Sequence, residues 1–403
     1  MEAKAETWCD RDNHKLFEQY VDFNEWLDSD DAAAVREANN IGGISVPSKA
    51  LYAGDKEAYD QVFQEYRETR RNEALSERYL CEQFSDDHWF QRNLDRFNQL
   101  VGRLADGDVV PFIGAGLSVA GGFPSWEDHL RTQGRTAGID PARTETLLAS
   151  GHYETAIEEI ETIRGREVFI QEIRDVFSRT GRITDTTLLI TELFPDTVIT
   201  TNYDRLIEQA FDTGAENSFQ IINGMGALEE AATDRVTIIK LHGDIKAPAS
   251  CILSKNQYDK CYGAGDTDMT LPIPKLLEYY YRNSSLLFLG CSLNSDRTVQ
   301  VFRAIKSAIA QRDGDIVIPQ HFPIEQAPET EEDLRNRNAY LLGLGVTGIW
   351  FEKGQFASVE GTLRLARNEL RYRGAIPRVT PAWRSASGAD SLHPVTKQEL
   401  GNE

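Results

Sequence analysis

Three short segments hold residue types suited to chemistry: Gly114-Ala115-Gly116-Leu117-Ser118, Thr200-Thr201-Asn202-Tyr203-Asp204 and Lys240-Leu241-His242-Gly243-Asp244. Each follows a strand-like apolar run. In the first, small residues let the backbone approach a phosphate, and the N–H groups that follow can cradle it. In the second, an amide and a carboxylate, Asn202 and Asp204, precede a helix that starts near Arg205. In the third, the His242 imidazole titrates near neutrality and can take a proton from a sugar hydroxyl or a water. A fourth segment, Gly290-Cys291-Ser292-Leu293-Asn294, offers Ser292 and Asn294 to ribose hydroxyls. Cys291 has no base beside it in the chain and reads as a buried small residue.

Each segment also has a plain structural explanation. A GxG after a strand is often a tight turn, and the third glycine of the dinucleotide fingerprint is missing. The lysine-serine or lysine-threonine ending of a P-loop is absent as well, which argues against ATP hydrolysis there. Asn202 or Asp204 can serve as a helix N-cap, worth about 1 kcal/mol. A histidine before a glycine can be a hydrogen-bonded turn residue. His14, His88 and His129 lie in helix-like stretches and read as packing or surface residues, while His321 follows a strand and is a lesser candidate.

The elements that must carry these segments alternate. Apolar runs at Val109–Ile113, Thr197–Ile199, Val236–Ile239, Leu286–Leu289, Ile316–Ile318 and 348–351 are separated by amphipathic helices at Tyr153–Ile163, Val168–Phe177, Arg205–Phe211 and Arg297–Ala310. Uninterrupted apolar strands between helices predict an α/β fold, a Rossmann-like doubly wound parallel sheet covered on both faces. Ligands in such folds bind beyond the carboxyl ends of the strands, where all four segments fall. Residues 1–104 read as an α-helical packing or oligomerisation region, with helix-period runs at Glu57–Phe84 and Trp89–Leu104. Residues 105–373 form the predicted nucleotide-binding catalytic domain. Tyrosine-rich residues 254–282 are expected as a helical insertion and candidate lid, and 374–403 as a tail that is loosely held or docked on a partner subunit.

The chain has 403 residues, a formal net charge of -21 and 27% charged residues. That balance argues against broad binding to nucleic acid or anionic membranes, although an anionic nucleotide can still be held by local backbone dipoles. The 5 cysteines are scattered, with no C-x-x-C pair, so neither a zinc ribbon nor a disulfide framework is expected. With no apolar signal core and no membrane-length run, a cytoplasmic protein is expected.

Taken in order, Gly114-Ala115-Gly116-x-Ser118, Thr201-Asn202-Tyr203-Asp204, His242-Gly243 and Gly290-x-Ser292 resemble the NAD site of the sirtuin fold. The resemblance spans about two-thirds of the chain. The four-cysteine zinc module of deacetylase sirtuins is missing, and so is their peptide-binding acidic loop. What remains is similar to the sirtuin-like NADases of bacterial antiphage defence, and most like the sirtuin subunit that works with a HerA-type ATPase. This implies NAD as substrate, no zinc, homo-oligomerisation, a HerA-type ATPase partner and contact with nucleic acid only through that partner. It implies cleavage of NAD to nicotinamide and ADP-ribose, latent until assembly or a trigger. By the same resemblance Asn202, Asp204 and His242 are catalytic. Gly114, Ala115, Gly116, Ser118 and Thr201 hold the nucleotide, and Gly290, Ser292 and Asn294 line its adenosine side. An NAD- or ADP-ribose-sensing or scaffolding subunit is the alternative, and an NAD-dependent deacylase a more distant one.

Overall fold

The computed structural model describes residues 17–84, 88–212, 214, 218–225, 235–294, 296–311 and 318–375. Its centre is a seven-stranded parallel sheet in the order β3-β4-β2-β1-β5-β6-β7. The strands are β1 Val109–Ile113, β2 Thr197–Thr200, β3 Phe219–Asn223, β4 Val236–Lys240, β5 Ser285–Leu289, β6 Phe322–Gln326 and β7 Ile349–Phe351. Strands β4 and β5 are buried along their whole length, as expected for a sheet with helices on both faces.

Chain direction across the sheet reverses at β1, which sits between β2 and β5. That is the topological switch point where a crevice opens in doubly wound sheets. Register carries the motifs to one row there: Ile113 pairs with Thr200 on β2 and with Leu289 on β5, while Thr200 pairs with Lys240 on β4. The residues just beyond, Gly114, Thr201, Leu241 and Gly290, therefore leave the sheet at one edge.

The predicted strands at 109–113, 197–199, 236–239, 286–289 and 348–351 are present, with ends shifted by a residue or two. Strands β3 and β6 escaped the sequence reading: β3 is a half-covered edge, and β6 contains Pro323, which demotes a run from strand. Of the expected strand at 316–318, Ile316 and Val317 lie outside the described residues, and Ile318 is not in a strand.

The helical regions divide differently from the expected boundaries. Residues 17–66 hold a core of their own, rich in aromatic rings such as Phe23, Tyr59 and Phe63. The helix His88–Asp106, by contrast, buries Phe97, Leu100, Val101 and Leu104 in the same core as the sheet. No break in packing falls at 104. Between β1 and β2, helices Trp126–Thr136, Pro141–Ala149, Tyr153–Arg164 and Arg166–Phe177 form another module around Leu130, Ile157, Ile160 and Phe169. This module stands over the strand ends. Within the expected insertion 254–282, the helix Lys255–Tyr262 also covers the strand ends, but Pro272–Asn283 is the crossover into β5 and is buried in the main core. The described part of the tail ends at Ala375; residues 376–403 lie outside the described residues.

Candidate active site

A cavity of about 790 Å³ opens at the switch point. Its walls come from all four segments, from the 126–177 module and from the helix Lys255–Tyr262. Of the sequence-expected residues, Gly114, Ala115, Gly116, Ser118, Thr201, Asn202, Asp204, His242, Gly290 and Ser292 line it. Asn294 is not on that wall. Its side-chain oxygen accepts from Arg337 at 3.3 Å, and the same guanidinium binds the Ser292 carbonyl at 2.6 Å and Glu325.

The floor is a closed hydrogen-bond cluster. Asn202 donates its carboxamide hydrogens to the Gly114 carbonyl at 3.0 Å and the Ser118 hydroxyl at 2.9 Å. The Ser118 hydroxyl in turn donates to Asp204 Oδ2 at 2.7 Å. The other Asp204 oxygen accepts from the Leu206 N–H at 3.0 Å, which ties the carboxylate to the first turn of the helix Leu206–Phe211. All three side chains are buried. Among the described residues the Asn202 side chain is left with one uncommitted group, the acceptor Oδ1. Ser118 is spent inside the cluster, and Asp204 acts through it as well as lining the cavity.

Beneath the loop lies Lys240, fully buried at the end of β4. Its ammonium reaches Glu208 at 2.9 Å, the Asp204 carbonyl at 2.5 Å and the Tyr203 carbonyl at 3.2 Å. A buried charge needs such saturation, since an unpaired one costs several kcal/mol. Lys240 thereby fixes the Asn202–Asp204 loop from below, a role the sequence reading did not assign to it.

The glycines serve backbone contact. A Cβ on Gly114 would stand 2.5 Å from the Gly290 carbonyl oxygen, and one on Gly116 would stand 2.9 Å from the Gly290 Cα. Gly290 itself has φ +67, and a Cβ there would meet the Leu117 nitrogen at 2.5 Å. The Gly116 N–H donates to the Gly290 carbonyl at 3.0 Å, so it is not free to cradle a phosphate. Small residues in Gly114-Ala115-Gly116 are demanded first by the close pressing of the β1 and β5 loops.

His242 is partly buried on the cavity wall, between Tyr258 and Tyr262. Burial pushes its imidazole down to about 4, so the ring is neutral at neutral pH. A neutral ring has a lone pair to offer as a base. Trp126 and Tyr203 also line the cavity, with ring centroids 5.4 Å apart. At another wall Arg297 forks onto Glu154 at 2.9 and 3.0 Å and reaches Asp259 at 2.6 Å. That clamp joins the 126–177 module, the helix Lys255–Tyr262 and the helix Arg297–Ala310.

Cys291 Sγ rests against the carbonyls of Phe112 and Leu289, and burial pushes its thiol up, which suits an inert packing residue. Among the described residues no cluster of three or more His, Cys, Asp or Glu side chains is placed to hold a metal ion. Among the same residues no helix is long and apolar enough to cross a membrane.

This geometry, a parallel sheet with its site on the β1, β2, β4 and β5 ends, meets a family match over part of the chain. Residues 196–345 match the model of the SIR2-like domain. The matched part runs from β2 through the helix Glu331–Gly343, holding Asn202, Asp204, His242 and Gly290, while the β1 loop lies before it. Curated relatives carry the name NAD(+) hydrolase ThsA. The protein of Bacillus cereus (strain MSX-D12) is 30% identical over 201 residues, 49% of this chain and 40% of its own length. That of Cytobacillus dafuensis is 30% identical over 157 residues, 39% and 30% of the respective chains. That of Enterococcus faecium is 26% identical over 214 residues, 53% and 42%. The chain thus spans less than half the length of these relatives. A solved structure described as "Structural Basis for the Mechanism and Regulation of Sir2 Enzymes" covers 70% of this chain and 99% of its own at 15% identity, with a TM-score of 0.35.

Proposed function

We propose that the SIR2-like site binds NAD and hydrolyses its nicotinamide–ribose bond, releasing nicotinamide and ADP-ribose. One observation carries the reading: Asn202, whose Oδ1 has no hydrogen-bond donor among the described residues, and the neutral His242 imidazole line one cavity of about 790 Å³ above a doubly wound sheet. The name NAD(+) hydrolase, borne by relatives of this domain, agrees with it.

The bond to be broken joins ribose C1′ to a cationic ring nitrogen. Its electron pair leaves with nicotinamide, and positive charge develops on the ribose. The Asn202 Oδ1 acceptor and the Asp204 carboxylate are held where such charge is stabilised without reorganisation. Trp126 and Tyr203 offer flat faces to the nicotinamide ring. His242 takes a proton from the attacking water or a ribose hydroxyl, and the water oxygen forms the new bond to C1′. Rigid placement of these groups supplies the orientation on which such a reaction depends.

The role in antiphage defence, latency until a trigger, self-assembly and a HerA-type ATPase partner belong to the same proposal and rest on the sequence resemblance. Sizing the chain alone and mixed with such an ATPase tests the assembly. For the chemistry, the full chain is incubated with NAD in 18O-labelled water. ADP-ribose carrying one label at C1′ supports hydrolysis. NAD that binds by calorimetry yet stays intact, with and without the ATPase, supports a sensing subunit instead.

A further inference from the structure

Tyr258 and Tyr262 are one turn apart on the helix Lys255–Tyr262, so both project from one face. Their hydroxyls meet different nitrogens of His242. The Tyr262 hydroxyl lies 2.8 Å from Nε2, and the Tyr258 hydroxyl lies 3.4 Å from Nδ1. Their surroundings differ too. Tyr258 is part of the cavity wall and Tyr262 is not. Tyr262 is 1% exposed, and its hydroxyl has the Thr298 Oγ1 beside it at 3.5 Å. Nε2 is therefore turned into the protein and Nδ1 toward the cavity.

A neutral imidazole carries one ring proton, and the nitrogen without it is the base. Base work on a molecule in the cavity requires the lone pair on Nδ1 and the proton on Nε2. We propose that Tyr262 is the positioning residue of His242: its oxygen accepts Nε2–H, which leaves its own proton for the looser contact with Thr298 at 3.5 Å, and the tautomer with a basic Nδ1 facing the cavity is favoured. This rests on the reading of His242 as the base. Burial keeps the ring neutral but does not choose between its tautomers; a hydroxyl 2.8 Å from Nε2 can hold either one, and the need for a basic Nδ1 in the cavity makes it the acceptor. The pairing follows the logic by which a general base is oriented by a further group behind it.

Tyr258 has another part. At 3.4 Å its hydroxyl is long for a hydrogen bond to Nδ1. It also interacts with the Tyr203 hydroxyl, which is committed to the Ile252 carbonyl at 2.6 Å. A hydroxyl or water entering the cavity can take its place at Nδ1. In the reaction the proton passes from that oxygen to Nδ1, and the resulting imidazolium keeps Nε2–H on Tyr262.

The test is histidine-selective 15N NMR on the full chain, beside nicotinamide-release kinetics. In the unaltered protein the His242 ring is expected to carry its proton on Nε2; a ring protonated on Nδ1 overturns the proposal. Tyr262→Phe keeps the ring and removes the acceptor. It is expected to mix the tautomers and to lower kcat by about tenfold or more, with KM for NAD within about twofold. An unchanged tautomer and kcat overturn it. If neither protein releases nicotinamide but the tautomer shifts in the variant, the positioning role stands and the NAD-cleavage reading falls. Should the variant not fold, the spectrum of the unaltered chain decides.

Discussion

The Asn202 amide nitrogen lies 2.9 Å from the Ser118 hydroxyl, and through that hydroxyl the amide is tied to Asp204. Ser118→Ala removes the middle of this chain. It leaves the buried Asp204 oxygen and one Asn202 hydrogen without partners, at a cost of about 1–3 kcal/mol in denaturant unfolding. With Asn202 held by the Gly114 carbonyl alone, nicotinamide release should fall about tenfold or more. A loss of stability with turnover intact would detach Ser118 from the reaction.

Lys240 and Glu208 make an ion pair 2.9 Å long with both side chains buried. Lys240→Met strips the Tyr203 and Asp204 carbonyls of their donor and leaves Glu208 only the longer Arg205 contact at 3.4 Å, and should destabilise the protein by about 3–5 kcal/mol. Adding Glu208→Leu removes the stranded charge and should recover part of that loss, which a double-mutant cycle by urea unfolding measures. Additive losses would show that the pair is not coupled.

Gly290→Ala places a methyl against the Leu117 nitrogen at a residue with φ +67. Both effects force the β1 and β5 loops apart. Lower thermal stability and weaker NAD binding are expected together, by calorimetry on the same sample. Wild-type NAD affinity in this variant would show that the loops need not touch for the cavity to form.

Burial lowers three histidines: His129 and His242 to about 4, His321 to about 3. Unfolded, each takes up a proton near pH 6.5; folded, each resists until about pH 4 or below. The unfolded chain therefore binds more protons in this window, so stability is full above pH 6.5 and falls as pH drops toward 4. Urea midpoints at pH 7, 6 and 5 should decrease in that order. The acid limb of nicotinamide release should fall near pH 4 to 5 rather than at 6.5, because His242 stays neutral until then. A half-maximal rate near pH 6.5 would mean that a different base acts.

The strand-end motifs were legible because β1, β2, β4 and β5 are short apolar runs, and a parallel sheet brings their ends to one edge. The purpose of Gly114 and Gly116 was not, because the atoms that exclude a side chain there belong to Gly290, far along the chain. Lys240 stood in plain view within its motif, yet its carbonyl and carboxylate partners become neighbours only when β2 and β4 pair. The i,i+4 spacing of Tyr258 and Tyr262 marked a shared face. Which residue that face would meet is a matter of how the helix docks, and spacing does not hold that information. The covering module at 126–177 was seen only as separate helices, since its core around Ile157, Ile160 and Phe169 forms between them.

Nicotinamide release by the full chain at saturating NAD, compared with Asn202→Ala and His242→Ala, tests the central claim most directly. The unaltered protein, with its trigger or partner where one is needed, should release nicotinamide. Each variant should lose on the order of a hundredfold or more in rate while still binding NAD. Unchanged release in both variants would contradict the assignment of this cavity as the active site.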